Sequence, residues 1–372
     1  MPGFSQAPLF IGLMSGTSTD GVDAVLADFT HVSAPRIMGS VSLPMPAALR
    51  AEFLALNRSG HDEIARAAQA GNQLARLYAQ ACTQLLESSG IAPERVCAIG
   101  AHGQTVRHNP NAGYSVQINA PALLAELTGI DVVADFRSRD IAAGGQGAPL
   151  VPAFHQSVFS CNYTRVVLNL GGIANITILE PGRPLVGFDT GPANALLDLW
   201  CQQVTGALYD DNGSWAASGT TSPPLLAALY DEEPWFALPP PKSTGRDLFN
   251  EAWLLARLER FRATGLSNAD IQATLQSLTA VSVQNAVAIH APSAREVLVC
   301  GGGAFNQGLM KELRRRLGLP LRPTSELGVP VQSVEALAFA WLALAHISGI
   351  DAGVPSVTGA KAPRVLGARY RA

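Results

Sequence analysis

The sequence predicts an α/β protein whose two halves are built alike. Two observations support this prediction. First, a glycine-centred turn between apolar runs opens each half, at residues 15–21 and again at residues 171–172, and both patterns are typical of a β-hairpin. Second, strand and helix patterns alternate after each hairpin. The 372 residues suffice for about two or three domains, so we expect an ancient duplication with the halves docked across a cleft.

The first half is expected to begin with three strands and to continue with a long helix. Apolar runs flanked by turn residues predict the strands, and Ala, Leu and Ile at helical spacing predict the helix, which ends before Gly90. The predicted strands are 9–14, 22–29, 36–43, 96–100 and 115–118, and the long helix is 63–86. We assign residues 1–128 to an N-terminal domain and expect residues 350–372 to pack on it.

The second half, residues 129–349, also begins with a hairpin and continues with strands and helices. An irregular excursion is expected at residues 214–241, where Pro, Ser and aromatic residues are frequent. The predicted strands are 165–169, 175–179, 185–188 and 296–300, and the predicted helices are 193–204, 248–261, 271–290, 306–317 and 335–347.

Composition and charge argue against several classes of protein. The chain carries 26 Lys and Arg against 29 Asp and Glu, a balance that does not favour nucleic acid or an anionic membrane as a partner. Five scattered cysteines without C-x-x-C spacing indicate free thiols in a reducing compartment rather than a zinc site. Because no signal-peptide pattern and no long apolar run is evident, we expect a soluble, cytoplasmic protein.

Three glycine clusters follow apolar strands and could bind phosphate groups. They lie at residues 12–21, 171–172 and 301–303, and hydroxyl residues accompany the first. Glycine lets a backbone approach a ligand closely, so that its N–H groups can bind phosphate oxygens. For a single cluster, a tight turn without a ligand is the favoured interpretation, but three clusters at strand ends favour a nucleotide site. Neither the P-loop nor the Rossmann glycine pattern is present.

Aspartates near strand ends are candidate catalytic or metal-binding groups. Asp189 follows the apolar run 185–188, at the edge where ligands bind in open α/β sheets, and could act as a general base or a metal ligand. It could equally cap the helix that follows. Asp20 and Asp23, in the first hairpin, have the same two interpretations, with a turn-forming role favoured for Asp23.

Polar residues at two further points could bind a ligand. His102 and Gln104 follow the predicted strand 96–100, where their side chains would emerge together, although a loop histidine satisfied by protein groups is an equal alternative. Glu335 begins an apolar helix, where a carboxylate also complements the helix dipole and needs no ligand.

Two arginines could bind an anionic group. Arg137 and Arg139 would project to one side if their segment is extended, and two guanidinium groups suit a carboxylate or a phosphate. The alternative is that they form salt bridges with Asp135 and Asp140.

Eight strings of the sequence, taken together, resemble one family. They are residues 11–23 (IGLMSGTSTDGVD), 101–105 (AHGQT), 133–137 (VADFR), 143–150 (AGGQGAPL), 169–175 (NLGGIAN), 187–194 (GFDTGPAN), 300–306 (CGGGAFN) and 335–336 (EA). In order and over nearly the whole chain, they resemble the anhydro-N-acetylmuramic acid kinase family.

The resemblance implies a fold and a reaction. The fold would be the actin-like, hexokinase-like ATPase fold, a duplicated ribonuclease H-like architecture with two domains around an ATP cleft. The reaction would phosphorylate O6 of 1,6-anhydro-N-acetylmuramic acid while hydrolysing its anhydro bridge, giving N-acetylmuramic acid 6-phosphate in cell-wall recycling. In the matching position, Asp189 would be the base that activates water for attack at C1.

The resemblance also divides the motif residues between two substrates. Those implied at the nucleotide are Gly16, Thr17, Ser18, Thr19, Asp20, Gly21, Val22, Asp23, Gly171, Gly172, Gly301, Gly302 and Gly303. Those implied around the sugar are Asp20, His102, Gln104, Arg137, Arg139, Asp189 and Glu335. Mg²⁺ is expected with ATP, but its ligands are not identified, because Leu13, Met14 and Asn169 stand where many actin-like kinases place aspartates. Family likeness also suggests a homodimer.

Three other functions compete with this interpretation. Another sugar kinase of the same fold would need no water at C1, so isotope incorporation separates the two. A non-enzymatic actin-like or chaperone-like protein would polymerise or bind peptides, and the sequence has no recognisable peptide-binding segment. A sugar-binding regulator would need a DNA-binding segment, and no helix-turn-helix pattern precedes the first strand.

Overall fold

A computed structural model describes residues 7–16, 19–246 and 248–372. The described chain forms two compact units, each with its own hydrophobic core. The first unit comprises the described residues up to Phe159 together with Ser333–Ala372, and the second unit comprises Ser160–Gln332.

Strands and helices alternate along both units. The strands are β1 (Leu9–Met14), β2 (Gly21–Asp28), β3 (Arg36–Pro44), β4 (Val96–Ala101), β5 (Gln104–Asn109), β6 (Tyr114–Ile118), β7 (Val132–Ala134), β8 (Arg165–Leu170), β9 (Ile173–Leu179), β10 (Val186–Pro192), β11 (Glu296–Cys300), β12 (Leu321–Pro323) and β13 (Ala368–Tyr370). The α-helices are α1 (Ala47–Leu56), α2 (Glu63–Ser89), α3 (Pro121–Thr128), α4 (Phe136–Ala142), α5 (Pro152–Phe159), α6 (Asn194–Thr205), α7 (Ser214–Ala217), α8 (Pro223–Tyr230), α9 (Glu251–Leu258), α10 (Asn268–His290), α11 (Gln307–Leu317), α12 (Val334–Ile347) and α13 (Pro355–Thr358). Short 3-10 helices lie at Pro93–Arg95, Pro110–Ala112, Asp211–Gly213, Pro234–Ala237, Glu259–Thr264, Gly302–Phe305 and Thr324–Leu327. None of the helices formed by the described residues has the length and hydropathy needed to cross a bilayer.

The sheet of the first unit has the strand order β13-β7-β4-β1-β2-β3. Strand β2 runs antiparallel to both of its neighbours, β1 and β3, while β4 runs parallel to β1 and β7 runs parallel to β4. Helix α2 packs on β2 and β3, and helix α12 packs on β1 and β4. Leu74, Tyr78 and Leu85 are spaced along one face of α2 and are buried in the same core as Ile11 and Leu26 of the sheet.

The sheet of the second unit has the order β10-β9-β8-β11-β12. Strands β8, β9 and β10 form an antiparallel meander, β11 runs parallel to β8, and β12 runs parallel to β11. This order and these directions match β3-β2-β1-β4-β7 of the first unit. The predicted α/β fold with a duplicated, ribonuclease H-like topology is therefore confirmed.

The unit boundaries differ from the predicted domain boundaries after residues 128 and 349. Helices α4 and α5 belong to the first unit, in which α4 contacts β6 and α5 contacts α12. Helix α12 belongs there too because it packs on β1, β2 and β4, and β13 joins the same sheet by pairing with β7. A sequence pattern locates a helix but does not show on which sheet the helix packs, and this accounts for the difference.

The excursion predicted as irregular at residues 214–241 contains regular structure. Helices α7 and α8 and the 3-10 helix Pro234–Ala237 lie within it. Leu225 and Trp235 of this segment are buried together with Trp253 of α9 and Leu275 of α10, and they form a second core of the second unit. The frequent prolines begin short helices here, since proline is well tolerated in a first helical turn.

Candidate active site

The turn after β1 carries the first predicted phosphate-binding residues. The N–H of Thr19 donates to the carbonyl of Gly16 at 3.1 Å and closes the turn. Ser15 and Thr19 are buried, whereas Asp20 is exposed. Two more residues predicted at the nucleotide, Thr17 and Ser18, lie outside the described residues. The described part of the turn therefore presents Asp20 to solvent and keeps two hydroxyl residues inside.

Gly21, Val22 and Asp23 begin β2 and pair with β3. The side chain of Val22 lies in the hydrophobic core, so only its backbone can face a ligand. Asp23 accepts a hydrogen bond from the hydroxyl of Ser42 at 2.5 Å, but burial, assisted by the neighbouring Asp20 charge, raises the pKa of Asp23. The turn-forming role favoured for Asp23 is wrong, because Asp23 is a strand residue fastened to β3.

Side-chain hydrogen bonds connect the loop after β4 to the turn after β1. The hydroxyl of Ser15 donates to Oε1 of Gln104 at 2.5 Å, and Nε2 of Gln104 donates to the carbonyl of Gly16 at 3.1 Å. Nδ1 of His102 lies 3.0 Å from the carbonyl oxygen of Ser15. A carbonyl can only accept, so the proton of the imidazole is on Nδ1. His102 and Gln104 are buried, and they join the two segments into one polar cluster.

The other nitrogen of His102 faces a guanidinium group. Its Nε2 lies 2.9 Å from Nη2 of Arg137 and 2.9 Å from Nε2 of Gln117, and both of these groups are donors. Nη1 of Arg137 donates to the carbonyl of Gly147 at 2.7 Å. Burial, assisted by the Arg137 charge, lowers the pKa of His102 to about 3. The imidazole is thus neutral at physiological pH and orients a half-buried arginine.

Arg139 does not accompany Arg137, and the predicted projection of the two to one side is wrong. Their segment is helix α4, in which side chains two residues apart point about 200° apart around the axis. Arg137 is half-buried, whereas Arg139 is exposed. Asp140 accepts hydrogen bonds from the N–H of Gly147 at 2.7 Å and from the hydroxyl of Thr358 at 2.8 Å. Within the first unit, Arg137 is therefore the better candidate for binding an anionic group.

Glu335 lies in the first turn of α12 and is half-buried. The next residue, Ala336, contacts β1 so closely that a Cβ on Gly12 would stand 1.8 Å from the Ala336 carbonyl oxygen. This contact fixes the start of α12, and with it Glu335, against β1.

In the second unit, Asp189 lies within β10 and is 9% exposed. Asp189 pairs with Asn175 of β9, and the pairing shifts before Gly191, so that Thr190 is an extra residue on this strand. Such bulges bend a strand and redirect its side chains. Helix α6 begins only at Asn194, so the alternative interpretation of Asp189 as a helix cap is wrong.

The loop segment 242–244 lies against Asp189 and forms two hydrogen bonds with it. The N–H of Thr244 donates to Oδ2 of Asp189 at 2.8 Å, and the N–H of Asp189 donates to the carbonyl of Lys242 at 3.1 Å. Lys242 is itself anchored, because its Nζ donates to the carbonyl of Phe236 at 3.0 Å and lies 4.4 Å from the centre of the Trp235 ring. Burial lowers the pKa of Lys242, while the charge of Asp189 opposes that shift. Asp189 is therefore both oriented and electrostatically supported by this segment.

Sequence reasoning missed this segment, although a signal was available. The run Lys242-Ser243-Thr244-Gly245-Arg246 follows three prolines and is far more polar than the aromatic and apolar residues around it. A dense polar run that interrupts an apolar stretch is typical of a surface loop, and binding residues are often found on such loops.

Gly171 and Gly172 form the turn between β8 and β9. The carbonyl of Gly171 accepts from the N–H of Asn194, and the carbonyl of Gly172 accepts from the N–H groups of Ala193 and Ala195. The turn is thereby fastened to the start of α6. The carbonyl groups of the turn are thus hydrogen-bonded within the protein, and its N–H groups are the ones that could bind a phosphate.

The third glycine cluster combines a packing role with an open backbone. Gly301 has a φ of +82°, and a Cβ there would stand 2.4 Å from Oδ1 of Asn169. A Cβ on Gly303 would stand 2.7 Å from Cβ of Leu170. Gly302, by contrast, is exposed, and a Cβ there would meet nothing closer than 3.9 Å. Gly301 and Gly303 are thus required by close packing, while Gly302 leaves room for a ligand.

Among the residues that the structure describes, no group of three or more His, Cys, Asp or Glu residues is arranged to hold a metal ion. Cys82, Cys97, Cys161, Cys201 and Cys300 are free thiols. Burial raises the pKa of Cys82 to about 12, so this thiol stays protonated.

Comparison with known sequences decides the family. The profile of the anhydro-N-acetylmuramic acid kinase family matches residues 8–372. This chain belongs to that family. Among the anhydro-N-acetylmuramic acid kinases, the Bordetella pertussis protein is 63% identical over 364 residues, covering 98% of this chain and 96% of its own length. The Cupriavidus metallidurans protein is 52% identical over 380 residues and is covered in full, as is this chain. The resemblance inferred from the motif strings is confirmed.

Solved structures with a similar course of the chain share little sequence with this member of the anhydro-N-acetylmuramic acid kinase family. Component A of (R)-2-hydroxyglutaryl-CoA dehydratase from Acidaminococcus fermentans has a TM-score of 0.48 and 12% identity, covering 90% of this chain and 96% of that chain. A ROK family glucokinase from Streptomyces griseus, solved with glucose and AMPPNP, has a TM-score of 0.41 and 15% identity, covering 90% and 98%. The fold assignment depends on the strand order of the two sheets and not on these scores.

Proposed function

We propose that this protein is the ATP-dependent kinase that phosphorylates O6 of 1,6-anhydro-N-acetylmuramic acid while water opens the anhydro ring. The product is N-acetylmuramic acid 6-phosphate, which places the reaction in cell-wall recycling. The observation that carries the proposal is the position of Asp189, a buried carboxylate beside a bulge of β10 whose Oδ2 is held by the N–H of Thr244. In a member of this family, such a group meets the need of the reaction for a general base.

The chemistry of the substrate requires a base on the water side. O6 is bonded to C1 in the anhydro bridge, so the sugar has no free hydroxyl on C6 to phosphorylate. Asp189 accepts a proton from water as the water oxygen bonds to C1 and the C1–O6 bond breaks. The electron pair left on O6 then forms the bond to the γ-phosphorus of ATP, and ADP leaves. Asp189 finally releases its proton to solvent, so atoms and charges balance.

On the sugar side, Arg137 is the proposed partner of the lactyl carboxylate. Its guanidinium is held at Nη1 by Gly147 and at Nη2 by the neutral ring of His102. A guanidinium fixed in this way is preorganised for a planar carboxylate. His102 and Gln104 act as positioning residues, because their polar atoms are committed to the protein.

The residues present fit ATP and Mg²⁺. The N–H groups of Gly171 and Gly172 suit phosphate oxygens, and the exposed backbone at Gly302 leaves room for the adenosine, which the family resemblance implies beside Gly301, Gly302 and Gly303. Mg²⁺ would neutralise charge on the transferred phosphoryl group, and it usually keeps several waters and binds through phosphates with one or two carboxylates. Asp20 and Asp23 are the proposed carboxylates, since their mutual repulsion is what a cation would relieve.

The test is a reaction of the purified protein with 1,6-anhydro-N-acetylmuramic acid and Mg-ATP in ¹⁸O-water, followed by mass spectrometry of the sugar. We expect a 6-phosphate that carries ¹⁸O at C1. A phosphorylated sugar without ¹⁸O would instead indicate a conventional sugar kinase. No phosphorylated sugar, from folded protein that binds ATP, would favour a non-catalytic nucleotide-binding protein.

The same proposal includes a cytoplasmic homodimer, which rests on family likeness. Sedimentation equilibrium of the full chain measures its mass directly. A mass of 39.0 kDa at all concentrations would show a monomer and remove the homodimer from the proposal.

A further inference from the structure

The hydroxyl of Thr244 has no part in the chemistry described above, although it lies beside the proposed base. Its Oγ1 is buried and, among the described residues, has no hydrogen-bond partner. Buried hydroxyls are nearly always satisfied, so an unsatisfied one commonly marks a position where a water or a ligand binds.

The backbone of Thr244 fixes where this hydroxyl can lie. The N–H of Thr244 donates to Oδ2 of Asp189 at 2.8 Å, and the N and Oγ1 atoms of a threonine are only three covalent bonds apart. The hydrogen bond from the N–H of Asp189 to the carbonyl of Lys242, at 3.1 Å, prevents the segment from sliding along β10. The anchoring of Lys242 Nζ on the carbonyl of Phe236 holds the other side of the loop. A water bound to the Asp189 carboxylate is therefore within hydrogen-bonding reach of Thr244 Oγ1.

We propose that Thr244 Oγ1 is the second acceptor of the water that attacks C1 of the sugar. This inference rests on the proposed function, in which Asp189 takes a proton from that water. A water molecule directs a lone pair at C1 only when both of its hydrogens point elsewhere. Asp189 accepts one hydrogen, and Thr244 Oγ1, which has two lone pairs, accepts the other. Only the proton bound to Asp189 is transferred, and Thr244 keeps its own.

This arrangement predicts that the enzyme distinguishes water from an alcohol. Methanol has a single hydroxyl hydrogen, so it cannot hydrogen-bond to Asp189 and to Thr244 Oγ1 as a donor at the same time. The wild-type protein should therefore favour hydrolysis over formation of a methyl glycoside. Loss of the Thr244 hydroxyl removes the second acceptor and with it this preference.

The experiment compares the full-length wild type with Thr244→Val, Thr244→Ser and Thr220→Val. Valine has the shape of threonine and keeps the N–H that holds Asp189, serine keeps a hydroxyl, and Thr220 is an exposed threonine of the same unit. Thr244→Val should lower kcat on the order of 100-fold. Calorimetric Kd values for the anhydro sugar and for a non-hydrolysable ATP analogue should stay within about threefold of wild type. Thr244→Ser and Thr220→Val should keep kcat within about threefold.

A product ratio separates this role from a purely structural one. In mixtures of water and methanol, Thr244→Val should form a larger share of methyl glycoside 6-phosphate than the wild type does. Normal turnover by Thr244→Val, equal impairment of Thr244→Ser, loss of ligand binding, or an unchanged product ratio would each overturn the proposal. The failure of the proposed function is distinguishable, because the wild type itself would then form no ¹⁸O-labelled 6-phosphate.

Discussion

Gly12 of β1 and Gly100 of β4 are register partners, and both lie against the backbone of helix α12. A Cβ on Gly12 would stand 1.8 Å from the carbonyl oxygen of Ala336, and a Cβ on Gly100 would stand 2.0 Å from that of Phe339. The helix backbone thus rests directly on the sheet, at a distance that no side chain permits. Gly12 stands in a cluster that predicts phosphate binding, but the packing of α12 accounts for its presence.

Replacing Gly12 by alanine should therefore destabilise the first unit. The added Cβ must displace either α12 or β1, and we expect the free energy of unfolding to fall by about 3 kcal/mol or more. Gly60→Ala is the matched control, because a Cβ there would approach only the flexible side chain of Arg66, at 3.3 Å. Urea unfolding of both variants measures the difference. A Gly12→Ala protein as stable as Gly60→Ala would contradict the close packing of α12.

Arg137→Ala and Arg139→Ala should show that only one of the two arginines of α4 contributes to sugar binding. Arg137→Ala removes the half-buried guanidinium held by His102 and Gly147, so the KM for the anhydro sugar should rise on the order of 100-fold. Arg139 is exposed, and its alanine variant should stay within about threefold of wild type. Steady-state kinetics at saturating ATP measures both values.

A substrate analogue provides the control for the arginine pair. 1,6-Anhydro-N-acetylglucosamine lacks the lactyl carboxylate, so its binding should be nearly the same for Arg137→Ala and for the wild type. Equal impairment of Arg139→Ala, or equal losses for both sugars, would show that Arg137 does not bind the carboxylate.

Asp189→Asn should abolish turnover while leaving substrate binding intact. The amide has the shape of the carboxylate and can still accept the N–H of Thr244, but it cannot take a proton from water. We expect kcat to fall at least about 100-fold. Calorimetry with the sugar and an ATP analogue checks that both still bind. A variant with near-normal kcat would show that Asp189 is a structural residue and not the base.

The stability of the first unit should depend on pH through two buried histidines. Burial lowers the pKa of His102 and of His155 to about 3, from an ordinary value of 6.5. Between these values the unfolded chain binds more protons than the folded one, so stability rises with pH in this window and is fully present above pH 6.5. Each histidine contributes a slope of up to about 1.4 kcal/mol per pH unit.

Urea midpoints between pH 6.5 and 4.5, for the wild type and for His155→Gln, measure this slope. His155 lies among Phe154 and Phe159 and outside the proposed chemistry. The stability of the variant should fall less steeply with falling pH. The difference in slope should correspond to at most one fewer proton taken up on unfolding per molecule. Parallel slopes would mean that His155 is already protonated in the folded protein or not titrating in the unfolded one.

Elements with strong local patterns could be predicted from the sequence. The strands at Leu9–Met14 and Glu296–Cys300 have the predicted bounds. In both, an apolar run lies between turn residues, and those turn residues mark where the strand begins and ends. The hairpins of both halves were recognisable for the same reason. The apolar pattern predicts helix α10 from residue 271, whereas the helix begins at Asn268, because its Ser267–Asp270 capping box precedes the apolar residues that carry the pattern.

Features that depend on tertiary contacts could not be predicted in this way. Arg137 and Arg139 alternate in sequence as they would in a strand, yet their segment is helix α4, which buries Phe136 and Ile141. The local sequence is the same whether Asp189 is a strand residue or a helix cap. Only the pairing of β10 with β9 distinguishes these two roles. The hydrogen bond between Thr244 and Asp189 spans 55 residues, so no local pattern reports it.

Nδ1 of His102 donates to the carbonyl of Ser15, and Nε2 of His102 accepts from Nη2 of Arg137, so a continuous hydrogen-bonded path links the turn after β1 to the guanidinium. The family resemblance implies nucleotide at the turn after β1, and the guanidinium is the proposed partner of the lactyl carboxylate, so the two substrates would bind at opposite ends of this path. Binding free energies are reciprocal, so any factor by which nucleotide tightens sugar binding is also the factor by which sugar tightens nucleotide binding. Positive coupling along this path would strengthen the binding of ATP only when the sugar is bound, and would thereby limit wasteful ATP hydrolysis when fragments of the cell wall are scarce.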